Sequence, residues 1–376
     1  MPGLHGATLG HLTRLLEPTE LAEGERLRVL LIAPLAAHER ARLAAVDRRL
    51  EVHDAWELFG PELVSDWPRQ TVEWYLPERF ARLVDTPAKR QQRDDLLREA
   101  DVLCLTFPFP TRLLARAPRL RFVHQLPAGV SNLSRGDLWQ SRVTVTSGRG
   151  AGNTLAIAEW AVAASLALLK DYPRAFAQRA SGRLDRRPFR ARQVEGKTIG
   201  VVGLGGIGRE VARLATCLGM RVVGSRRSFE EPVPHVERVY PPTNLHALLG
   251  ESDVVVLATQ LTRATDRLID RAALAAMRPG AYLLNVARGE LVDETALLEA
   301  LRSGHLGGFA SDVYVGEFER QPPAELLALD NVLLTPHTSG KTDRASGGAL
   351  AIFRENLLRC LRGEPLLNQV DWDRGY

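Results

Sequence analysis

One arginine, one glutamate and one histidine occupy comparable places in the second half of the chain. Arg288 follows the strand-like run "AYLLNVA" (281–287), Glu317 lies just past "GGFASDVY" (307–314), and His337 ends "NVLLTPH" (331–337). In an open parallel sheet the ligand crevice lies outside the carboxyl ends of the strands, so these three side chains can meet one substrate there. Their types suit one chemistry. Reducing a 2-oxo acid by hydride requires a cation for the carboxylate, a proton donor to the ketone oxygen, and a carboxylate that keeps that donor protonated. Arg288 suits the first role, with paired contacts to the substrate carboxylate. His337 suits the second, as acid in reduction and base in oxidation, and Glu317 suits the third. Taken singly, each has a plainer reading: a surface salt-bridge former, a loop charge and a helix cap.

Upstream, Gly203, Gly205 and Gly208 form G-x-G-x-x-G between the strand-like "TIGVVG" and the helical "REVARLA". The first glycine permits a tight turn, the second lets a pyrophosphate approach the backbone, and the third lets helix and strand pack closely. The helix N-terminus then faces the phosphates. With Gly206 and Ile207 inside the turn, these five residues are the candidate cofactor cradle. About 20 residues further on, an acid would bind the ribose hydroxyls of NAD. This chain has "GSRRS" there instead. A guanidinium holds a 2′-phosphate that an acid would repel, so Ser225 and Arg226, with Arg227 a weaker third, point to NADP in preference to NAD. The alternative is that both arginines are solvated loop residues beside an ordinary NAD site.

The elements that must position these groups are legible as alternating strand-like and helical runs, the mark of βα units and a parallel sheet. With 376 residues, 45% of them hydrophobic, two globular domains are the default. The runs 26–34, 99–106, 121–127 and 142–147 are predicted strands of a first domain, with a helix over 38–50. The segment 57–80, rich in proline and aromatics, is predicted to be an irregular insertion. After a long apolar helix over 153–170, six further strands are predicted. The last helix, 342–363, is expected to fold back on the first domain.

Several function classes fit poorly. A net charge of +4 with interspersed signs does not imply nucleic acid, and the basic run 183–193 reads as a solvated loop. Cys104, Cys217 and Cys360 show no C-x-x-C pair, which fits reduced thiols in a cytoplasm, excludes a zinc finger and leaves each as a small core residue. No metal site is expected. The N-terminal stretch has no signal-peptide pattern. The apolar run 155–169 contains Glu159 and is too short for a membrane span.

The motifs "LRFVHQLPAGVSNL", "NTLAIAEWAVAASLALL", "GKTIGVVGLGGIGREVA", "NVARGELVDETAL", "DVYVGE" and "TPHTSG" occur in an order that resembles the D-isomer-specific 2-hydroxyacid dehydrogenases, over about residues 100–365. That resemblance implies an α/β fold of two Rossmann-like or flavodoxin-like parallel-sheet domains with a cleft between them. Residues 1–148 with 339–376 would form the substrate domain, and 149–338 the NAD(P) domain. It implies Arg288, Glu317 and His337 as the catalytic trio and Asp312 as a contact to the nicotinamide amide. Backbone N–H groups at Ala128, Gly129 and Val130 would meet the substrate carboxylate. Thr259 would lie on the cofactor side, where Gln260 replaces a proline common in the family. The helix 155–169 resembles the family's dimerisation segment, so a homodimer is expected, and no regulatory domain is expected after the last helix.

The leading expectation is an NADP-preferring reductase of glyoxylate or hydroxypyruvate. The alternatives are an NAD-dependent, phosphoglycerate-like dehydrogenase and a nucleotide-sensing corepressor on the same fold. A formate dehydrogenase would resemble this chain with glutamine in place of Glu317.

Overall fold

A computed structural model describes residues 24–343 and 347–375. The N-terminal stretch read for a leader, and residues 344–346 near the start of the last helix, lie outside the described residues. The described chain divides into two compact units. The first takes the residues up to Trp67, then Val72–Arg149 and Gly348–Trp372; the second takes Pro68–Thr71, Gly150–Gly347 and the residues from Asp373 on.

In the first unit β1 (Leu27–Ile32), β2 (Leu50–Asp54), β3 (Val102–Leu105), β4 (Phe122–Gln125) and β5 (Thr144–Ser147) form a parallel sheet in the order β2-β1-β3-β4-β5. Both faces are covered, which is why β3, and β1 apart from Arg28, are apolar throughout rather than alternating. Leu30 and Ile32 pack with Phe59, Leu63 and Phe80, while Leu27, Val29 and Leu31 pack with Phe353 and Leu357 of the helix Gly348–Leu361. Each such buried side chain contributes about 2 kcal/mol of transfer free energy.

Two expectations are corrected here. Residues 57–80 are not an irregular insertion: they fold as the helices Trp56–Asp66 and Arg69–Tyr75 and a short 3-10 turn, Glu78–Arg82. Pro61 sits inside the first of these helices, where the packing of Phe59 and Leu63 outweighs the backbone bond it removes. The helix expected over 38–50 stops at Ala44, and β2 begins at Leu50.

In the second unit β6 (Thr198–Val202), β7 (Arg221–Ser225), β8 (Arg238–Tyr240), β9 (Val254–Leu257), β10 (Ala281–Asn285), β11 (Leu306–Ser311) and β12 (Val332–Leu334) form a seven-stranded parallel sheet, not the six strands expected. The added strand is β8, three residues at an edge. The order β12-β11-β10-β9-β6-β7-β8 runs outward from β6 to β8 and then returns to place β9 on the other side of β6. That reversal is a topological switch point, where crevices open at the carboxyl ends of strands. The helix Thr154–Leu169 buries Ala158, Ala161, Ala164, Leu168 and Leu169 against the helix Gly206–Cys217 and strands β10 and β11.

Among the described residues no helix is long and apolar enough to cross a membrane, and no cluster of His, Cys, Asp or Glu could hold a metal ion. Most of the run 183–193 is exposed, with Arg187 paired to Asp185. Cys104 and Cys360 are buried, and desolvation raises both thiol pKa values. Cys217, expected in the core, is exposed at the last position of the helix Gly206–Cys217. Its neighbours Val211, Ala212 and Ala215 face the core instead.

Candidate active site

The turn after β6 shows why its glycines are needed. Gly203 has φ +104, and a Cβ there would lie 2.7 Å from the Ala258 carbonyl oxygen and 2.9 Å from the Thr259 nitrogen. The Gly203 and Leu204 N–H groups both donate to the Ser225 carbonyl, at 3.0 and 3.2 Å, and so join the ends of β6 and β7. A Cβ on Gly208 would stand 2.0 Å from the Gly203 carbonyl oxygen, so the helix lies directly on the turn. Gly205 differs: among the described residues, no atom beyond its own chain neighbours lies within 4 Å of its added Cβ. The helix Gly206–Cys217 starts at that open side with Gly206 and Ile207, and its N-terminal N–H groups and partial positive charge suit an anion.

At the end of β7, Ser225 is buried and Arg227 is exposed. The Arg226 side chain is 14% exposed; its Nη2 donates to the Glu231 carbonyl oxygen at 3.0 Å and meets the Glu231 carboxylate at 3.4 Å. Its buried Nε has no hydrogen-bond partner among the described residues. A buried donor without a partner is costly, so this cation is suited to an added anion. The open face at Gly205 and the unsatisfied Arg226 donor together fit a dinucleotide with a phosphate at its ribose. When bound in reduced form, that group supplies a hydride.

The three candidate catalytic residues follow the ends of three adjacent strands. At the end of β10, Asn285 is buried: its Nδ2 donates to the Arg288 carbonyl at 2.7 Å and its Oδ1 accepts from Ala287 N at 3.0 Å, which shapes the turn bearing Arg288. A Cβ on Gly289 would lie 2.1 Å from the Tyr314 carbonyl carbon. The loop after β11 therefore lies flush against the Arg288 turn. The Glu290 carboxylate also reaches this loop, accepting from Gly316 N at 3.4 Å. Burial, and then the neighbouring Glu317 charge, push the Glu290 carboxyl above its ordinary range, against its hydrogen bonds and Arg288.

Glu317 and His337 are in direct contact. The Glu317 Oε1 lies 3.0 Å from His337 Nδ1, and the buried Oε2 has no partner among the described residues. A carboxylate at Nδ1 fixes that nitrogen as the N–H and leaves Nε2 to exchange a proton with a reacting group. His337 has φ +53, an uncommon backbone conformation for a non-glycine residue. Asp312 holds it there: its carboxylate accepts from the Thr335 hydroxyl and from the Thr338 and Ser339 N–H groups, the latter two at 2.8 Å. Its carbonyl accepts from His337 N at 2.9 Å. Asp312 was expected at the nicotinamide amide; these protein donors occupy three of the lone-pair positions on its carboxylate.

Thr259 follows β9, and the Gln260 carbonyl beyond it accepts from the Thr265 hydroxyl at 2.6 Å. Ala128, Gly129 and Val130 lie in the first unit, after β4, where the Gln125 side chain donates to the Gly129 carbonyl. Sequence reasoning missed Asn285, Gly289 and Glu290. It also missed Gln70 and Thr71, which belong to the second unit and bond the loop bearing Glu317. The "NVARGE" run contains the first three without marking their contacts, and nothing local marks the last two.

A dinucleotide turn at a switch point, with a histidine–carboxylate pair at the ends of neighbouring strands, defines a nicotinamide-type α/β protein. The chain belongs to the D-isomer specific 2-hydroxyacid dehydrogenase family, whose NAD binding domain model matches residues 162–339. It is 35% identical over 276 residues to a glyoxylate reductase of Pyrococcus horikoshii, covering 71% of this chain and 80% of that protein. It is 32% identical over 292 residues to a D-3-phosphoglycerate dehydrogenase of Methanocaldococcus jannaschii, covering 77% of this chain. The aligned region spans about half the length of that protein, 55%. A D-isomer specific 2-hydroxyacid dehydrogenase from Xanthobacter autotrophicus Py2, solved with NADPH and MES, superposes with a TM-score of 0.70 at 28% identity, covering 94% of this chain and all of that one.

Proposed function

We propose that the protein is an NADP(H)-preferring reductase of small 2-oxo acids, with glyoxylate or hydroxypyruvate as substrate and the D-2-hydroxy acid as product. The observation that carries this reading is the 3.0 Å contact between Glu317 and His337 Nδ1, in the same unit as the glycine turn. In reduction, a hydride adds to the carbonyl carbon and the His337 Nε2 proton goes to the oxygen. Glu317 stabilises the imidazolium before the transfer, and Arg288 binds the substrate carboxylate. The N–H groups at Ala128, Gly129 and Val130 are assigned to the same carboxylate. Gly203, Gly205, Gly206, Ile207 and Gly208 take the pyrophosphate, Ser225, Arg226 and Arg227 the 2′-phosphate, and Thr259 and Asp312 the nicotinamide side.

The glyoxylate reductase relative, of which the chain covers 80%, supports this substrate class over phosphoglycerate, whose relative is only about half covered. The intact proton-donor pair speaks against a corepressor. We also propose a homodimer formed through the helix Thr154–Leu169 and its neighbour Tyr172–Ala180, where Leu155, Tyr172 and Phe176 are exposed. Three unpaired cysteines suit a reducing cytoplasm.

The test is NADPH and NADH oxidation followed by absorbance against a panel of 2-oxo acids. Turnover of glyoxylate or hydroxypyruvate, faster with NADPH, is expected. Absence of turnover with every acid and both cofactors would overturn the assignment.

A further inference from the structure

The helix Arg69–Tyr75 begins with residues that belong to the second unit, although Trp67 before them and Val72 after them belong to the first. Gln70 and Thr71 meet the loop after β11. The Gln70 Nε2 lies 2.6 Å from the Glu317 carbonyl oxygen, 2.8 Å from that of Arg320 and 2.9 Å from the Tyr314 hydroxyl. Its Oε1 accepts from Gln321 Nε2 at 2.9 Å. Thr71, fully buried, donates its hydroxyl proton to the Phe318 carbonyl at 2.6 Å. Two consecutive residues thus hold two consecutive carbonyls, those of Glu317 and Phe318.

We infer that Gln70 is a positioning residue, which acts through Glu317 to hold its carboxylate against His337. The inference rests on the catalytic reading above. The amide nitrogen has two N–H protons to share among three oxygens of this loop, and the amide oxygen accepts from Gln321, so all four polar partners of the side chain lie on one loop. The N-terminal part of that loop is held by the backbone at Gly289, seated on Tyr314, and by the Glu290 bond to Gly316 N. Gln70 and Thr71 add restraint at the peptide units of Glu317 and Phe318, the former carrying the carboxylate whose Oε1 must stay 3.0 Å from Nδ1. Without it, the carboxylate samples positions from which it neither orients the imidazole nor stabilises its charge, and displacements of this kind reduce turnover.

The test uses Gln70→Ala and the isosteric Gln70→Glu, which replaces the donor with an acceptor facing carbonyl oxygens. Both are expected to fold, by circular dichroism, and to lose about tenfold in kcat, with the KM for NADPH within about twofold of wild type. In a Glu317→Gln background the same replacements should change kcat by less than about twofold, since the group they position is already disabled. Undiminished kcat in both single variants, or an equal loss in the Glu317→Gln background, would overturn the inference. Hydrogen exchange of the peptide spanning 314–321 gives a readout independent of turnover. It should be faster in Gln70→Ala than in wild type, and equal protection would also overturn the inference. If wild-type protein turns over no 2-oxo acid, the functional assignment fails by that result, while the exchange comparison still decides whether Gln70 holds the loop.

Discussion

Asp312 grips His337 and the residues on both sides of it. Its carbonyl takes the His337 N–H, and its carboxylate takes the Thr335 hydroxyl and the Thr338 and Ser339 N–H groups. The left-handed backbone at His337 persists because this buried anion over-determines it. Asp312→Ala leaves three donors without their acceptor and is expected to destabilise the fold by about 3 kcal/mol in urea unfolding. A loss under about 0.5 kcal/mol would show the loop to be held by other contacts.

His337→Ala should lower kcat for reduction by about a thousandfold, and Arg288→Ala should also remove most activity, largely as a rise in KM for the oxo acid. Glu317→Gln keeps the shape but not the charge opposite Nδ1, and about a hundredfold loss is expected. Near-native turnover by His337→Ala in a steady-state assay would show that another group donates the proton.

Arg226 bonds the exposed end of its own loop, and Glu231 is 80% exposed, so that pairing is weak and yields readily to a phosphate. Arg226→Asp should lower the ratio of kcat/KM for NADPH over NADH by about a hundredfold. An unchanged ratio would leave the arginines as solvated loop residues.

Gly205 and Gly208 are expected to fail differently. Gly208→Ala forces a Cβ to 2.0 Å from a backbone oxygen, so folding itself should suffer. Gly205→Ala meets no atom within 4 Å among the described residues beyond its chain neighbours, and a wild-type melting curve with weakened NADPH binding in titration calorimetry is expected. Wild-type affinity in Gly205→Ala would place the pyrophosphate elsewhere.

His124, buried on β4 with its Nδ1 2.8 Å from the Thr146 hydroxyl and its ring stacked on Phe353, should set an acid limit to stability. Desolvation lowers its pKa from 6.5 to about 4, with a backbone contact at Ala349 opposing. Because the folded pKa is the depressed one, the unfolded chain binds the proton more readily. Stability is therefore full above pH 6.5 and falls as pH drops towards 4. His124→Gln should flatten this part of the urea-midpoint profile; an identical slope in the variant would assign the acid loss to other groups.

The parts of the fold that could be read from sequence were those with both faces buried. β6, β9 and β10 are buried at every position and apolar apart from Thr198 and Asn285 at their ends, because helices cover them on both sides. The two strands that escaped notice, β2 and β8, are edge strands, short or polar, with exposed positions that break the pattern. Residues 56–75 misled because Pro61 and the aromatics suggest a loop, whereas contacts from Phe59 and Leu63 to distant residues such as Phe80 stabilise a helix. At the candidate site, residue type and position at strand ends marked Arg288, Glu317 and His337. Asn285 shapes its own turn by side-chain bonds that its type alone does not announce, whereas Gly289 and Gln70 meet other segments, and Gln70 lies 247 residues from the carbonyl it binds.

The absence of space at Gly289 has a consequence for how this chain can vary. With a would-be Cβ 2.1 Å from the Tyr314 carbonyl carbon, the arginine turn and the glutamate loop are seated against each other at the backbone itself. No choice of side chain mediates that contact, so none can absorb a change in it. A residue inserted or deleted on either side would unseat both at once, and viable length variation among descendants of this sequence should fall outside 285–290 and 312–320.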